Sequence, residues 1–237
     1  MNRSPRLLTS VAPFKAGGRG GPLNFTDIAP GDLTARHISD LYIHPNSAVA
    51  LRVTGAEIAL WLERTVSLFH HVTPGAQDAP LIDLAFPAFN FDIIHGVQFQ
   101  VDLTQPARFD ANGAEVVSAA RRIRNLCYLG QPLTPKAEFL LATNSYRASG
   151  GAGFAGTQAE RMVLEDSRPL RQVLQDYVAR GGSVAPSARP DWGFVPMLDT
   201  TVVFDSAEGG AEHCADVPGL TALGMQPTGF MRFRLAL

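Results

Sequence analysis

The sequence predicts an α+β domain in which helices pack on a mixed β-sheet. Segments with helical and strand patterns interleave along the chain, without the regular strand–helix–strand rhythm of a parallel sheet. Residues 97–103 alternate apolar and polar side chains, which indicates that one face of that strand meets solvent. With 237 residues, 46% of them hydrophobic and 18% charged, the chain is long enough to bury a full core.

Two helices are predicted in the first third of the chain. Residues 33–41 predict a short helix with Asp32 as its N-cap. Residues 55–69 predict a longer one, because Thr54 and Glu57 have the spacing of a capping box. Apolar side chains then recur at the spacing of one helical face, so this helix should pack on the sheet.

The remaining elements are six strands and one more helix. The strand candidates are residues 48–53, 97–103, 123–129, 138–143, 200–204 and 230–235, and residues 129–136 predict a hairpin connection. A helix over residues 169–180 would be capped by Asp166 or Ser167 and ended by Gly181 and Gly182. Residues 182–196 are rich in Pro, Gly and Ser, which predicts a long surface excursion.

Composition argues against several classes of partner. A net charge of −2 gives no broad attraction to nucleic acid polymers or to anionic membranes, and no segment approaches the ~20 apolar residues of a membrane span. Cys127 and Cys214 lack the spacing of metal ligands, and a disulfide between them stays open. The first residues lack the apolar core of a signal peptide. We expect residues 1–10 to be a linker remnant of a longer chain.

The most informative segment is residues 143–154, which begin where a predicted buried strand ends. Tyr146 offers a flat face for stacking and Arg147 offers a cation. Gly150 and Gly151 leave room for a ligand to approach the backbone closely. This combination favours a planar, anionic ligand such as a nucleotide, and a surface turn with a half-buried tyrosine explains it equally well.

Residues 12–22 contain a second candidate site around Arg19. Gly17 and Gly18 precede this arginine, and further glycines follow it. In such a loop the backbone N–H groups can turn toward an anion while the guanidinium binds it with two hydrogen bonds. The segment matches neither a Walker loop nor a dinucleotide-binding fingerprint. A solvated glycine-rich turn is the alternative.

A third segment, residues 40–46, places His44 and Asn46 just before a strand. A histidine ring can stack on a base and an asparagine can bind its edge, although a lone histidine is more often structural. Residues 86–92 contain three aromatic side chains, which could wall a pocket or fill the core. The histidines show no metal-ligand spacing, and no catalytic serine motif is present, so we predict no catalytic residue and no metal site in this chain.

Taken in order, these four segments, together with Val53–Glu57, resemble the C-terminal domain of the 5′-nucleotidase family. They are most similar to its bacterial 2′,3′-cyclic-nucleotide 2′-phosphodiesterase/3′-nucleotidase branch. The resemblance implies that residues 11–237 form a nucleotide-binding domain. It also implies that an N-terminal metallophosphoesterase domain, absent from this sequence, holds two divalent metals and performs the hydrolysis.

The resemblance further implies a role for each candidate residue. The base would lie between the rings of Tyr146 and His44, with Asn46 on its edge, and Arg19 with its glycines would contact phosphate or ribose. His44 stands where the family usually has Phe or Tyr, so stacking should be weaker. Ala152 stands where 5′-nucleotidases carry an Asp that binds ribose hydroxyls. Its lack of charge suits a substrate phosphorylated at the 2′ or 3′ oxygen.

The expected function is therefore substrate recognition within a periplasmic hydrolase. The ligand would be a 2′,3′-cyclic or 3′-nucleotide, the partner would be the covalently linked catalytic domain, and this chain alone would be inactive. Two alternatives stay open: a stand-alone ligand-binding or interaction module without a hydrolytic role, and a structural domain that only covers a catalytic partner.

Overall fold

The structure is a computed structural model that describes residues 6–185 and 191–237, and this part contains three β-sheets and four α-helices. The central sheet has the strand order β4-β1-β8-β2-β9. Its strands are β1 (Leu7–Val11), β2 (Ser47–Thr54), β4 (Ile93–His95), β8 (Glu138–Asn144) and β9 (Met162–Pro169). β1 and β8 run parallel, and the other neighbours are antiparallel, so this sheet is mixed.

Two four-stranded sheets pack beside the central one. The second sheet has the order β10-β5-β6-β7 and contains β5 (Val97–Val101), β6 (Ile123–Tyr128), β7 (Gln131–Pro132) and β10 (Trp192–Phe194). The third, here called the C-terminal sheet, has the order β12-β13-β11-β3 and contains β3 (Ala79–Pro80), β11 (Thr201–Ser206), β12 (Leu220–Met225) and β13 (Met231–Ala236). The prediction of an α+β fold is confirmed, but the strands divide among three sheets.

The helices are α1 (Ala35–Leu41), α2 (Gly55–Thr65), α3 (Ser145–Ala148) and α4 (Leu170–Gly181). At the start of α2 the Thr54 side chain accepts the Glu57 N–H, and the Glu57 carboxylate accepts the Thr54 N–H, so the predicted capping box is present. Val66–Leu68 continue the helix as a 3₁₀ turn. Ile58, Trp61 and Leu62 face the core, and full burial of such side chains stabilises the fold by roughly 1.5–3 kcal/mol each.

Both other helix predictions need correction at their starts. α1 begins at Ala35 rather than at residue 33. The side chain of Thr34, and not that of Asp32, caps it by accepting the N–H of His37 in the first turn. α4 begins at Leu170, and Asp166 and Ser167 do not cap it. They lie in β9, a strand that the sequence analysis missed, whose last residue pairs with Ser47 of β2. Strand pairing therefore extends to Pro169, and the helix starts only after it.

The two segments predicted to lack regular structure each contribute a strand. Of the expected linker, residues 1–5 lie outside the described part, but Leu7–Val11 form β1 in the interior of the central sheet, with Leu8 buried. Of the expected excursion over residues 182–196, residues 186–190 lie outside the described part, and Trp192–Phe194 pair with β5. Cys127 and Cys214 are both free thiols.

Candidate functional site

Strand directions bring four loops to one end of the central sheet. β1 and β8 run parallel, so the residues that follow them lie at the same end. β2 and β4 run antiparallel to these strands, so the residues that precede them reach that end as well. The loops after β1 and β8 and those before β2 and β4 contain residues from all four segments singled out in the sequence.

A cavity of about 230 Å³ lies where these loops meet. It is lined by Phe14, His44, Asn46, Phe89, Asn144, Tyr146 and Arg147. Pockets that enclose a whole drug-sized ligand usually measure about 300–1,000 Å³. This cavity therefore suits one flat part of a larger ligand, with the rest of the ligand lying outside.

Tyr146 is presented by α3, a single helical turn that starts where β8 ends. The Asn144 side chain caps the turn by accepting the Arg147 N–H at 2.9 Å. The Ser145 hydroxyl accepts the Ser47 N–H at 3.1 Å, which ties α3 to β2. These bonds fix the start of the turn, and Tyr146 lines the cavity with 45% of its surface exposed.

Arg147 anchors α3 through a buried ion pair with Asp92. Its Nε and Nη2 donate to the two Asp92 oxygens at 3.1 and 2.9 Å, and it also bonds Asn90 and the Phe89 carbonyl. Trp61 Nε1 donates to Asp92 at 3.1 Å. Burial raises the pKa of the Asp92 carboxyl, while the bonds from Arg147 and Trp61 act against it. The sequence indicated a cation at Arg147 without a defined role, and in the structure its guanidinium joins α3 to residues 89–92.

The Tyr146 ring is supported from two sides. The guanidinium of Arg147 lies 5.3 Å from its centroid, within the range of a cation–π contact. Gly151 packs so closely that an added Cβ would lie 2.7 Å from ring atoms Cε1 and Cζ. Gly150 has a φ of 88°, a left-handed conformation that turns the chain back under the ring. Gly150 and Gly151 thus shape the support of Tyr146 rather than line the cavity.

Other aromatic side chains line the cavity as well. His44 stands edge-on to Phe14, with 5.0 Å between ring centroids, and Phe14 stands edge-on to Tyr42. Asn46 Nδ2 donates to the Tyr42 hydroxyl at 3.2 Å, and burial raises the pKa of that hydroxyl. Phe14, His44, Phe89 and Tyr146 thus line the same cavity.

The predicted residues divide into two groups. Tyr146, His44 and Asn46 line one cavity, with Gly150 and Gly151 behind Tyr146. Arg19, Gly17 and Gly18 lie in the loop that follows Phe14 and are not among the lining residues. In that loop the N–H groups of Gly17, Gly20 and Gly21 bond to carbonyls of the loop itself, so these three amides do not face an anion.

The cavity roles of Phe14 and Asn144 were not predicted from the sequence, whereas Phe89 lies in the run over residues 86–92 that was expected to wall a pocket or fill the core. Phe14 follows β1, and that strand was not predicted. Phe89 belongs to the aromatic run over residues 86–92, where Phe86 is buried and Phe89 is exposed. Asn144 directly precedes a helical turn, which is a common position for a capping asparagine.

Neither a metal cluster nor a membrane helix is found in the described residues. Within residues 6–185 and 191–237, no three side chains of His, Cys, Asp or Glu are placed to hold one ion. The helices in these ranges are too short or too polar to cross a bilayer.

Comparison with protein families gives one extended match. The family model described as 5′-nucleotidase, C-terminal domain, matches residues 9–159, which is more than half of the chain. The matched range contains all residues that line the cavity.

Two curated relatives show the same similarity at higher identity. The trifunctional nucleotide phosphoesterase protein YfkN of Bacillus subtilis is 40% identical over 202 residues, which cover 85% of this chain and 14% of that protein. A 2′,3′-cyclic-nucleotide 2′-phosphodiesterase/3′-nucleotidase of Haemophilus influenzae is 38% identical over 246 residues, covering 98% of this chain and 37% of that protein. The chain thus spans less than two fifths of either relative.

Solved structures support the fold. The 5′-nucleotidase precursor of Thermus thermophilus superposes with a TM-score of 0.57 at 17% identity, covering 80% of this chain and 32% of that one. The NAD nucleotidase of Haemophilus influenzae superposes with a TM-score of 0.53 at 15% identity, covering 80% and 30%.

Proposed function

The chain belongs to the 5′-nucleotidase family as its C-terminal domain, and from this premise we propose that it recognises the nucleotide for a larger phosphoester hydrolase. The base of a 2′,3′-cyclic or 3′-nucleotide lies in the cavity against Tyr146. The observation that carries this proposal is the cavity itself. It holds an exposed tyrosine ring, supported by Arg147 and Gly151, and is also lined by other aromatic rings.

The cavity suits a base better than an aliphatic ligand. Stacking on an aromatic side chain stabilises any base, because every base has a flat face. Each stacked base contributes about 1–3 kcal/mol of binding free energy. The Nδ2 of Asn46 donates a hydrogen bond to the Tyr42 hydroxyl, and its Oδ1 accepts a hydrogen bond from the edge of the base. A volume of about 230 Å³ suits the base and leaves ribose and phosphate outside, near the loops that surround the cavity.

We propose that Arg19 binds the part of the ligand that lies outside the cavity. Its loop begins only a few residues after Phe14, and its side chain is exposed. A guanidinium there can bind phosphate with two hydrogen bonds. Ala152 lies in the turn beneath Tyr146 and carries no charge, which suits a ligand phosphorylated at the 2′ or 3′ oxygen.

Hydrolysis belongs, in this proposal, to a covalently linked catalytic domain with two divalent metals. Such metals polarise a phosphoester and activate water. The described residues do not fit a metal pair, since they contain no cluster of three ligands, so no hydrolytic step is assigned to them. We further propose that this chain alone is inactive, that the whole hydrolase is periplasmic, and that neither nucleic acid polymers nor membranes are its partners.

Calorimetry with 3′-AMP and 2′,3′-cyclic AMP tests the binding proposal. We expect Tyr146→Ala to raise Kd by about 5- to 150-fold, the equivalent of one stacked base. Tyr177→Ala is the matched control, because Tyr177 is 65% exposed on α4 and does not line the cavity. If the Tyr146 variant binds with unchanged affinity, the base does not stack there.

A second pair of variants identifies the ring opposite Tyr146. The family resemblance assigns this position to His44, whereas Phe89 lines the same cavity and is 44% exposed. The variant His44→Ala should weaken binding more than Phe89→Ala if the base lies between His44 and Tyr146. The reverse order would assign the second stacking face to Phe89.

A further inference from the structure

Arg64 of α2 is buried without a carboxylate partner. Its exposed fraction is 1%, and no ion pair within the described residues includes it. The guanidinium lies 4.9 Å from the ring centroid of Phe86 and 6.0 Å from that of Phe154. Burial lowers the pKa of Arg64, and the negative charge of Asp110 acts against this shift. A buried guanidinium outside any ion pair is costly, so its hydrogen bonds need an explanation.

Two backbone carbonyls receive the hydrogen bonds of this guanidinium. Nε donates to the carbonyl of Ala152 at 3.2 Å, and Nη2 donates to that of Ala111 at 3.1 Å. Nη1 is buried and has no partner among the described residues. Arg64 therefore joins the turn at residues 150–153 to the turn at residues 110–114.

Gly113 closes over the bond between Arg64 and Ala152. A Cβ at this position would lie 3.0 Å from Arg64 Nε and 3.1 Å from the Ala152 oxygen. Gly113 also has a φ of 96°, which favours glycine. The second turn thus covers the hydrogen bond and keeps other groups away from it.

The turn that Arg64 holds is the one beneath Tyr146. Ala152 has a φ of 65°, a left-handed conformation that is unfavourable for alanine. The bond from Arg64 fixes the direction of the Ala152 carbonyl and so favours this conformation. Gly151 is the preceding residue, and it packs against Cε1 and Cζ of the Tyr146 ring. The contacts therefore run from Arg64 through Ala152 and Gly151 to the ring.

We propose that Arg64 is a positioning residue for the base-binding cavity. It does not touch the ligand; it holds the turn that sets the orientation of the Tyr146 ring. This inference rests on the proposed function, because orientation of the ring matters only if the ring binds a base. Without the hydrogen bond from Arg64, the turn that contains Gly151 moves away from the Tyr146 ring. The ring then becomes more mobile.

The experiment compares Arg64→Met with Arg122→Met. Arg122 is an equally buried arginine whose guanidinium also bonds carbonyls, those of Gln105, Val66 and Phe69, but it has no contact with the 150–153 turn. Both variants lose stability. Only Arg64→Met should raise the Kd for 3′-AMP, by about fivefold or more. It should also shift the Tyr146 ring resonances of the ligand-free protein.

Each outcome decides the proposal. An unchanged Kd and unmoved Tyr146 resonances in Arg64→Met overturn it, as does an equal loss of affinity in Arg122→Met. If the wild type does not bind 3′-AMP, the proposed function fails, and the ring resonances alone decide whether Arg64 positions Tyr146. Should Arg64→Met not fold, Arg64→Lys serves instead. Lysine keeps the charge but cannot reach both carbonyls in the same geometry. We therefore expect the same shift of the Tyr146 resonances, and unmoved resonances overturn the proposal.

Discussion

Arginine–aspartate pairs occur both behind the cavity and on the C-terminal sheet, in opposite surroundings. The side chains of Arg147 and Asp92 are 2% and 3% exposed and lie 55 residues apart in sequence. The side chains of Arg232 and Asp205 are 41% and 32% exposed and face each other on the paired strands β13 and β11. Each pair has two N–H···O bonds between its partners. The buried pair has further hydrogen bonds, from Arg147 to Asn90 and the Phe89 carbonyl and from Trp61 to Asp92.

The two pairs contribute to the molecule in different ways. An exposed pair contributes little, because water screens both charges. A buried pair does not necessarily make a protein more stable than apolar packing would, but loss of one partner leaves a charge without compensation. The buried pair therefore holds α3, and with it Tyr146, in one position relative to residues 89–92. The exposed pair lies across β11 and β13, which the strand pairing already holds together.

The largest expected effect follows from breaking the buried pair. Asp92→Ala should lower the free energy of unfolding by about 3–5 kcal/mol, because Arg147 keeps a buried charge without a partner. Asp205→Ala is the matched control, with an expected change below about 1 kcal/mol. Urea denaturation of both variants measures the difference. Equal losses in the two variants would mean that burial does not distinguish the two pairs.

A smaller effect is expected when Asp92 is kept but loses one of its hydrogen-bond donors. Trp61→Phe removes the Nε1–H bond to Asp92 and keeps an aromatic ring beside Phe154. The loss should be about 1.5–3 kcal/mol, typical of a hydrogen bond to a charged group. Trp192→Phe is the control, because Trp192 also packs among aromatic rings but has no bond to Asp92. A larger loss in the control would show that ring packing, and not the bond to Asp92, dominates at Trp61.

In both regions the sequence predicts some strands and not others. β11 and β13 have regular strand patterns and pair with each other without help from distant segments, so both were expected near their observed positions. β3 and β12 of the same sheet were not predicted, and neither were β1, β4 and β9 of the central sheet. Leu7–Val11 shows little pattern of its own, and it becomes a strand because β4 and β8 pair with it on both sides. β9 is mostly exposed, and its apolar residues at 162–164 are followed by four polar ones, so its sequence lacks the alternating pattern of a half-buried strand.

For the site, residue types could be predicted but partners could not. Tyr146, His44 and Asn46 were expected together from the family resemblance, and the structure places them around one cavity. The partner of Arg147 was not predictable, since Asp92 is distant in sequence and meets it only after β1, β4 and β8 have paired. The same holds for Arg64, whose contacts are backbone carbonyls that no sequence motif identifies.

A second exposed pair of the C-terminal sheet allows a test by pH. Asp78 precedes β3 and pairs with Arg234 of β13, and the Thr201 hydroxyl also donates to it. The hydrogen bonds from Arg234 hold the pKa of the Asp78 carboxyl below its ordinary value of 3.8. Asp78 has a φ of 54°, a conformation that asparagine also tolerates, so Asp78→Asn removes the charge with little backbone strain.

The smallest expected effect is the pH dependence of this pair. The pKa of Asp78 is lower in the folded state than in the unfolded state, so its contribution to stability is present above pH 3.8 and is lost as pH falls through the folded-state pKa. The asparagine side chain of the Asp78→Asn variant does not titrate. The unfolding temperature of this variant should therefore lie slightly below that of the wild type at neutral pH, and the two should converge well below pH 3.8. Thermal unfolding across this range measures the gap. A gap that stays constant would mean that the contact with Arg234 does not depend on the charge of Asp78, and that exposed pairs here act through geometry alone.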